Sequence, residues 1–155
     1  MERQLSAMKK KSLISYLRDL FGSKKKDKPS VIHLNTEETE LLKYRLRELM
    51  NQKKPYLVKG YHIKDMAEDL RIPVHQLSAF INQVVGMSFT GYMNKHRIDY
   101  CLNLITTDPS HADLNNLAEL SGFNNRNSFT AAFKKFTGQK PFEYIRGKYP
   151  RTRSS

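Results

Sequence analysis

One block of this chain is written twice. The first copy runs Ile63-Lys64-Asp65-Met66-Ala67-Glu68-Asp69-Leu70 and continues through Leu77, Ile81 and Gly86 to Tyr92. The second runs Leu114-Asn115-Asn116-Leu117-Ala118-Glu119-Leu120 and continues through Phe129, Phe133 and Gly138 to Tyr144. Each copy reads as a short helix with a buried alanine, a tight turn, and a longer helix closed by glycine. No segment of the chain alternates apolar and polar residues with a period of two, the pattern a half-buried strand needs. The doubled block therefore predicts an all-α chain of two similar halves.

The internal chemistry of the block is that of a helix-turn-helix. Its first helix must approach the second closely, so a small residue is needed at the crossing, and Ala67 and Ala118 hold equivalent places four residues before the turn. The turn favours positive φ, which Gly122 supplies without a steric penalty. In the first copy that place is Arg71, and a non-glycine residue in the left-handed region costs roughly 1–2 kcal/mol. Leu77 and Ile81 match Phe129 and Phe133 at i, i+4, the side that docks on a core. The opposite sides carry His75, Ser78, Ala79 and Asn82 in one copy and Arg126, Asn127, Thr130, Ala131 and Lys134 in the other. By elimination these face outward, toward a DNA groove.

Charge agrees with such a partner. Lys and Arg number 27 against 15 Asp and Glu, a formal net charge of +12, in the basic range of nucleic-acid-binding domains. Cys101 is the only cysteine, which excludes an internal disulfide and a Cys-rich zinc site. It lies in the apolar stretch from Ile98 to Ile105, where a free cysteine is a small core residue rather than a reactive thiol. His33, His62, His75, His96 and His111 lack metal-ligand spacing. No Gly-rich phosphate loop, nucleophile elbow or paired-carboxylate motif is present, so neither an enzymatic activity nor a cofactor is expected. No apolar run is long enough to span a membrane and no signal-peptide pattern opens the chain, which makes a cytoplasmic, nucleoid-associated protein the expectation.

Along the chain, residues 1–30 form a basic leader and linker. Leu5, Met8, Leu13, Tyr16, Leu17, Leu20 and Phe21 recur at helical spacing between Lys9-Lys10-Lys11 and Lys24-Lys25-Lys26. Gly22-Ser23 ends this amphipathic helix. Through residues 5–21 it suits an anionic membrane surface, a partner helix or nonspecific DNA affinity, with a solvated tail as the bland alternative. The core domain is expected over 36–147. Thr36 caps its first helix, with Glu37, Glu38 and Glu40 near the start, and Pro55 stops it. Helices follow at about 62–70 and 74–85. A linker helix from Ser88 to Ile105 is about 27 Å long at 1.5 Å per residue. Asp108-Pro109-Ser110 marks a turn, helices at 113–121 and 125–137 form the second copy, and Pro141 opens a last short helix. The first helix-turn-helix spans about 60–86, the second about 113–138, and 148–155 is a basic tail. The linker is long enough to hold two recognition helices about one DNA turn apart, roughly 34 Å.

The stretch Gly122-Phe123-Asn124-Asn125-Arg126-Asn127-Ser128-Phe129-Thr130-Ala131-Ala132-Phe133-Lys134-Lys135-Phe136-Thr137-Gly138, followed by Pro141 and Tyr144, resembles the signature of the AraC/XylS transcription regulators. Lys95-His96-Arg97-Ile98 resembles the start of that family's linker helix, and coverage runs over about residues 60–147. Lys54-Pro55-Tyr56-Leu57 and Phe89 through Tyr92-Met93-Asn94 are similar to a subgroup whose amino-terminal part is often membrane-embedded. The resemblance implies a homeodomain-like fold of about seven helices and a sequence-specific regulator with two recognition helices in successive major-groove segments.

Carried over by position, the resemblance implies base contacts from His75, Ser78, Ala79, Arg126, Asn127 and Ala131. Gln76, Asn82, Ser88, Asn125, Thr130, Lys134, Lys135 and Lys140 would lie at phosphates or the groove edge, the three lysines alternatively being solvated. Ala79 and Ala131 depart from the family, which commonly places a long polar residue there; alanine can meet a thymine methyl but cannot donate a bidentate pair. Arg126 becomes the candidate reader of guanine, with a phosphate contact as its alternative, and Asn127 of adenine. Double-stranded DNA is the expected partner and RNA polymerase a further one. Only about 35 residues precede the first core helix, too few for a ligand-binding barrel. No small-molecule effector is expected, and the chain reads as a stand-alone regulator or a fragment of a longer one. The competing reading is a protein-interaction or membrane-tethering adaptor that uses the paired motifs as scaffold. An enzyme such as a DNA-repair methyl-transfer protein would need a cysteine-ligated zinc site that one cysteine cannot build.

Overall fold

A computed structural model describes residues 35–107 and 114–148. Within them lie seven α-helices and no strand. They are α1 (Thr36–Gln52), α2 (Ile63–Leu70), α3 (Val74–Phe80), α4 (Phe89–Thr107), α5 (Leu114–Leu120), α6 (Arg126–Thr137) and α7 (Pro141–Lys148). The all-α, two-motif architecture expected from the doubled block is the one observed. The leader, the Asp108-Pro109-Ser110 turn and most of the basic tail lie outside the described residues.

The cap of α1 is Asn35 and not Thr36. The Asn35 side chain accepts from the Glu38 N–H at 2.8 Å, and the Glu38 carboxylate accepts from the Asn35 N–H at 3.1 Å. This reciprocal pair needs an acid three residues after the cap; counted from Thr36 that place is Thr39, so the helix begins one residue earlier. Its end also differs. Lys54 turns left-handed at φ 47°, and Pro55 opens a single 3-10 turn, Pro55–Leu57, rather than only halting α1. Pro55 and Tyr56 are buried there.

The two copies of the block share their turn bond for bond. In the first, the Arg71 N–H bonds to Glu68 O at 2.9 Å and the Ile72 N–H to Ala67 O at 2.9 Å. In the second, the Gly122 N–H bonds to Glu119 O at 2.9 Å and the Phe123 N–H to Ala118 O at 3.0 Å. The pattern closes a helix through one left-handed residue, and Arg71 (φ 53°) and Gly122 (φ 80°) supply it. The carbonyls of the two crossing alanines thus also anchor the turns. Ala67 and Ala118 are buried, and Leu77, Ile81, Phe129 and Phe133 are fully so.

After α3 the chain winds wider. Residues 81–85 form one π turn closed by Gly86, where a continuous α-helix was expected. The wider turn bonds from i to i+5, and Val85 at its end packs, partly buried, against the first core. Ser88 then starts α4, its hydroxyl accepting from the Gly91 N–H at 3.1 Å.

Two apolar clusters result. The first gathers Leu46 and Met50 of α1 with Met66, Leu70, Leu77, Phe80 and Ile81. The second gathers Leu117, Phe123, Phe129 and Phe133, with Phe123, Phe129, Phe133 and Tyr144 in successive edge-on contacts of 5.4, 5.6 and 5.5 Å. Edge-to-face rings at this spacing favour one packing arrangement over others. α4 serves both: Met93 belongs to the first cluster, and Ile98, Cys101 and Ile105 to the second. Cys101 is fully buried, and burial pushes its thiol up to about 11 while the Ser121 hydroxyl opposes the shift. It is a core residue, as its apolar setting predicted.

Candidate nucleic-acid interface

α3 and α6 are the second helices of the two motifs, α3 running on into the π turn, and each buries one side. What remains outward is the reading side inferred by elimination. On α3, His75 is exposed, and Ser78 and Ala79 are half-buried. Gln76 is half-buried with its Oε1 enclosed and without a hydrogen-bond partner. Asn82, in the π turn, is exposed and donates back to Ser78 O at 2.9 Å. The segment from Val74 to Val85 contains no Lys, Arg, Asp or Glu, so this surface offers a partner small polar groups and no fixed charge.

α6 is different. Arg126, Asn127, Ala131, Lys134 and Lys135 are exposed along it and Thr130 is half-buried. It carries three cations and no acid. Asn125 is the helix cap, its Oδ1 accepting from the Ser128 N–H at 2.8 Å. That oxygen is committed to the helix. Lys135 lies 5.6 Å from the Phe136 ring centre. Lys140 precedes α7, where its backbone N–H donates to the Glu143 carboxylate at 3.0 Å.

The candidate residues therefore divide into two groups on separate elements, with Ser88 at the start of α4 and Lys140 at the start of α7 completing the set. Among the described residues no group of His, Cys, Asp and Glu is placed to hold a metal, and no helix is long and apolar enough to cross a membrane.

A family model described as a helix-turn-helix domain matches residues 66–147. The chain belongs to this AraC-type family. The helix-turn-helix pair is thus a DNA-binding, transcription-regulating module. Its fold is similar to the C-terminal domain of AraT, a response regulator from Geobacillus stearothermophilus, with 23% identity, a TM-score of 0.57, and coverage of 80% of this chain and 95% of that one. It is also similar to the C-terminal domain of the two-component response regulator yesN from Fusobacterium nucleatum (23% identity, TM-score 0.57, 68% and 98% covered). A protein of unknown function from Listeria innocua gives 24% identity, a TM-score of 0.56 and 68% and 95% coverage. No curated protein matches the sequence. In this AraC-type chain one further residue stands out that its sequence pattern alone does not single out. Arg97 belongs in sequence to the linker's basic start, yet its guanidinium is half-buried and donates to the Tyr56 carbonyl. A cation beside Ile98 in a helix with an otherwise apolar inner side was the available signal.

Proposed function

We propose that the chain is a sequence-specific transcription regulator that lays α3 and α6 in successive major-groove segments of double-stranded DNA. The observation that carries this is the identity of the two turns: the same pair of backbone bonds orients a second helix in each copy, with its apolar side sealed and its polar side outward. A major groove admits one α-helix and presents a distinct donor and acceptor pattern for each base pair. Two dissimilar reading helices on one chain favour an asymmetric site.

The division of labour follows from the two surfaces. Arg126 has the fork to pair with guanine and Asn127 the amide to pair with adenine, while Ala79 and Ala131 suit thymine methyl groups. His75 and Ser78 complete the first surface. Lys134, Lys135 and Lys140 approach phosphates, as do the amides of Gln76, Asn82 and Asn125 and the hydroxyls of Ser88 and Thr130; such contacts fix register without reading sequence. The uncharged α3 supplies position and shape fit, and α6 more of the direct discrimination.

The test is selection from random duplex DNA with the full chain, followed by titration of the enriched duplex at several salt concentrations. An asymmetric motif, bound far more tightly than unrelated DNA and with affinity falling as salt rises, is the expected outcome. Enrichment of nothing would overturn the proposal and favour an adaptor role.

A further inference from the structure

A second line of contacts, beside α4, ties the two halves together. Its node is the backbone carbonyl of Tyr56, in the 3-10 turn ahead of the first motif. Arg97 of α4 donates from Nε to that oxygen at 2.7 Å and from Nη1 to Asn94 Oδ1 at 3.2 Å. Its guanidinium carbon lies 5.4 Å from the centre of the Phe123 ring, in the second motif's turn. Gly122 meets the same node: a Cβ on it would fall 2.5 Å from Tyr56 O and 2.9 Å from Leu57 Cα. The Tyr56 ring stacks on His96 at 5.6 Å and tilts against Tyr100 at 6.1 Å. At the rim, Lys59 pairs with Glu119 at 3.3 Å.

Tyr56 belongs to the first core and Phe123 to the second, so Arg97 joins them directly. The guanidinium is half-buried, and burial lowers its affinity for the proton. A carbonyl, an amide oxygen and an aromatic face replace the water it has lost. Two small domains joined by one helix ordinarily move relative to each other unless a substantial interface prevents it. Here the contacts between the halves converge on the Tyr56 carbonyl.

We propose that Arg97 is a positioning residue that fixes the offset between α3 and α6, and thereby sets the spacing of the two DNA segments the chain accepts. This rests on the two-groove reading above. One base pair inserted between the segments displaces them by about 3.4 Å and rotates them by about 34°. A latched protein cannot follow that change; an unlatched one can.

The experiment compares the full wild-type chain with Arg97→Gln on the duplex returned by selection, and on duplexes with one base pair inserted or removed between the two contacted segments. For the wild type each change is expected to weaken binding by about tenfold or more, equivalent to about 1.4 kcal/mol. For Arg97→Gln the penalty falls to within about threefold, although absolute affinity for the original duplex also declines. In parallel, spin labels on Gln83→Cys and Gln139→Cys, with buried Cys101 left unlabelled, report the distance between halves. Its distribution broadens in Arg97→Gln. An unchanged spacing penalty in a folded variant with an unchanged distance distribution would overturn the latch. A wild type indifferent to spacing would instead overturn the two-groove reading, leaving the label distances to judge the latch by themselves. Should Arg97→Gln fail to fold, Arg97→Lys keeps the charge but loses the fork, and the same comparisons apply.

Discussion

Arg71 and Gly122 hold one backbone position in two copies of a motif, with opposite consequences for substitution. Arg71 is exposed and left-handed, and it sits near enough to Arg45 to lower that residue's proton affinity after burial has done so first. Arg71→Gly relieves both strain and repulsion, against some gain in unfolded-chain entropy. The net is a stabilisation of about 1 kcal/mol, seen as a raised urea midpoint. Gly122→Ala runs the other way. It adds left-handed strain and drives a methyl group into the Tyr56 carbonyl, so a loss of about 3 kcal/mol is expected in the same measurement. On the reading surface, Arg126→Ala should relax preference at one base pair by about 1–3 kcal/mol, measured on a panel of single-base operator variants. Equal loss on every duplex would make Arg126 a phosphate anchor.

At the scale of elements, the cap of α6 is the informative test because it separates folding from reading. The Asn125 bond to the Ser128 N–H is typical of caps whose removal costs about 1 kcal/mol. Asn125→Ala should therefore lower stability by that amount, while Asn125→Asp, which keeps the accepting oxygen, restores it. A variant whose DNA affinity falls with no change in unfolding midpoint would show that the side chain acts on phosphate alone. Caps also show how far the sequence could be read. Apolar spacing, the repeat and the proline and capping signals together place helices near α1 to α7, because each of these signals is written within a few residues of its element. The Thr36 and Asn35 difference, and the π turn at 81–85, depend on which local hydrogen bonds win, and several arrangements fit the same letters. The outward sides of α3 and α6 are legible as the complement of the buried Leu77, Ile81, Phe129 and Phe133. The Arg97 latch is not. Tyr56, Arg97 and Phe123 are far apart in the chain, and nothing in one segment specifies its meeting with the others.

For the whole molecule, acid should act in two stages. His96 is held below its ordinary value of 6.5 chiefly by burial between Tyr56 and Tyr92, with Asp99 opposing the shift and Lys95 adding to it. The unfolded chain then binds that proton more readily. Stability is therefore full above about pH 6.5 and declines as pH falls from there toward the lower folded value. Asp69 is held below 3.8 by the hydrogen bond from Lys53 (2.6 Å), with Tyr61 (2.7 Å) adding to it. Its contribution is present above pH 3.8 and is lost as pH falls through its lower folded value. Urea midpoints across this range should show both declines. His96→Gln should abolish the upper one only; persistence of that decline in the variant would place its origin elsewhere.

α4 packs Met93 into one core and Ile98, Cys101 and Ile105 into the other. Although the block was written twice, neither copy is therefore a spare part. A polypeptide ending within α4 strips a wall from one half, and a graft of a foreign second motif must bring its own run of residues for that wall. Modular recombination in such a chain has to exchange linker and reading helix together, so the inherited unit is larger than the repeated one.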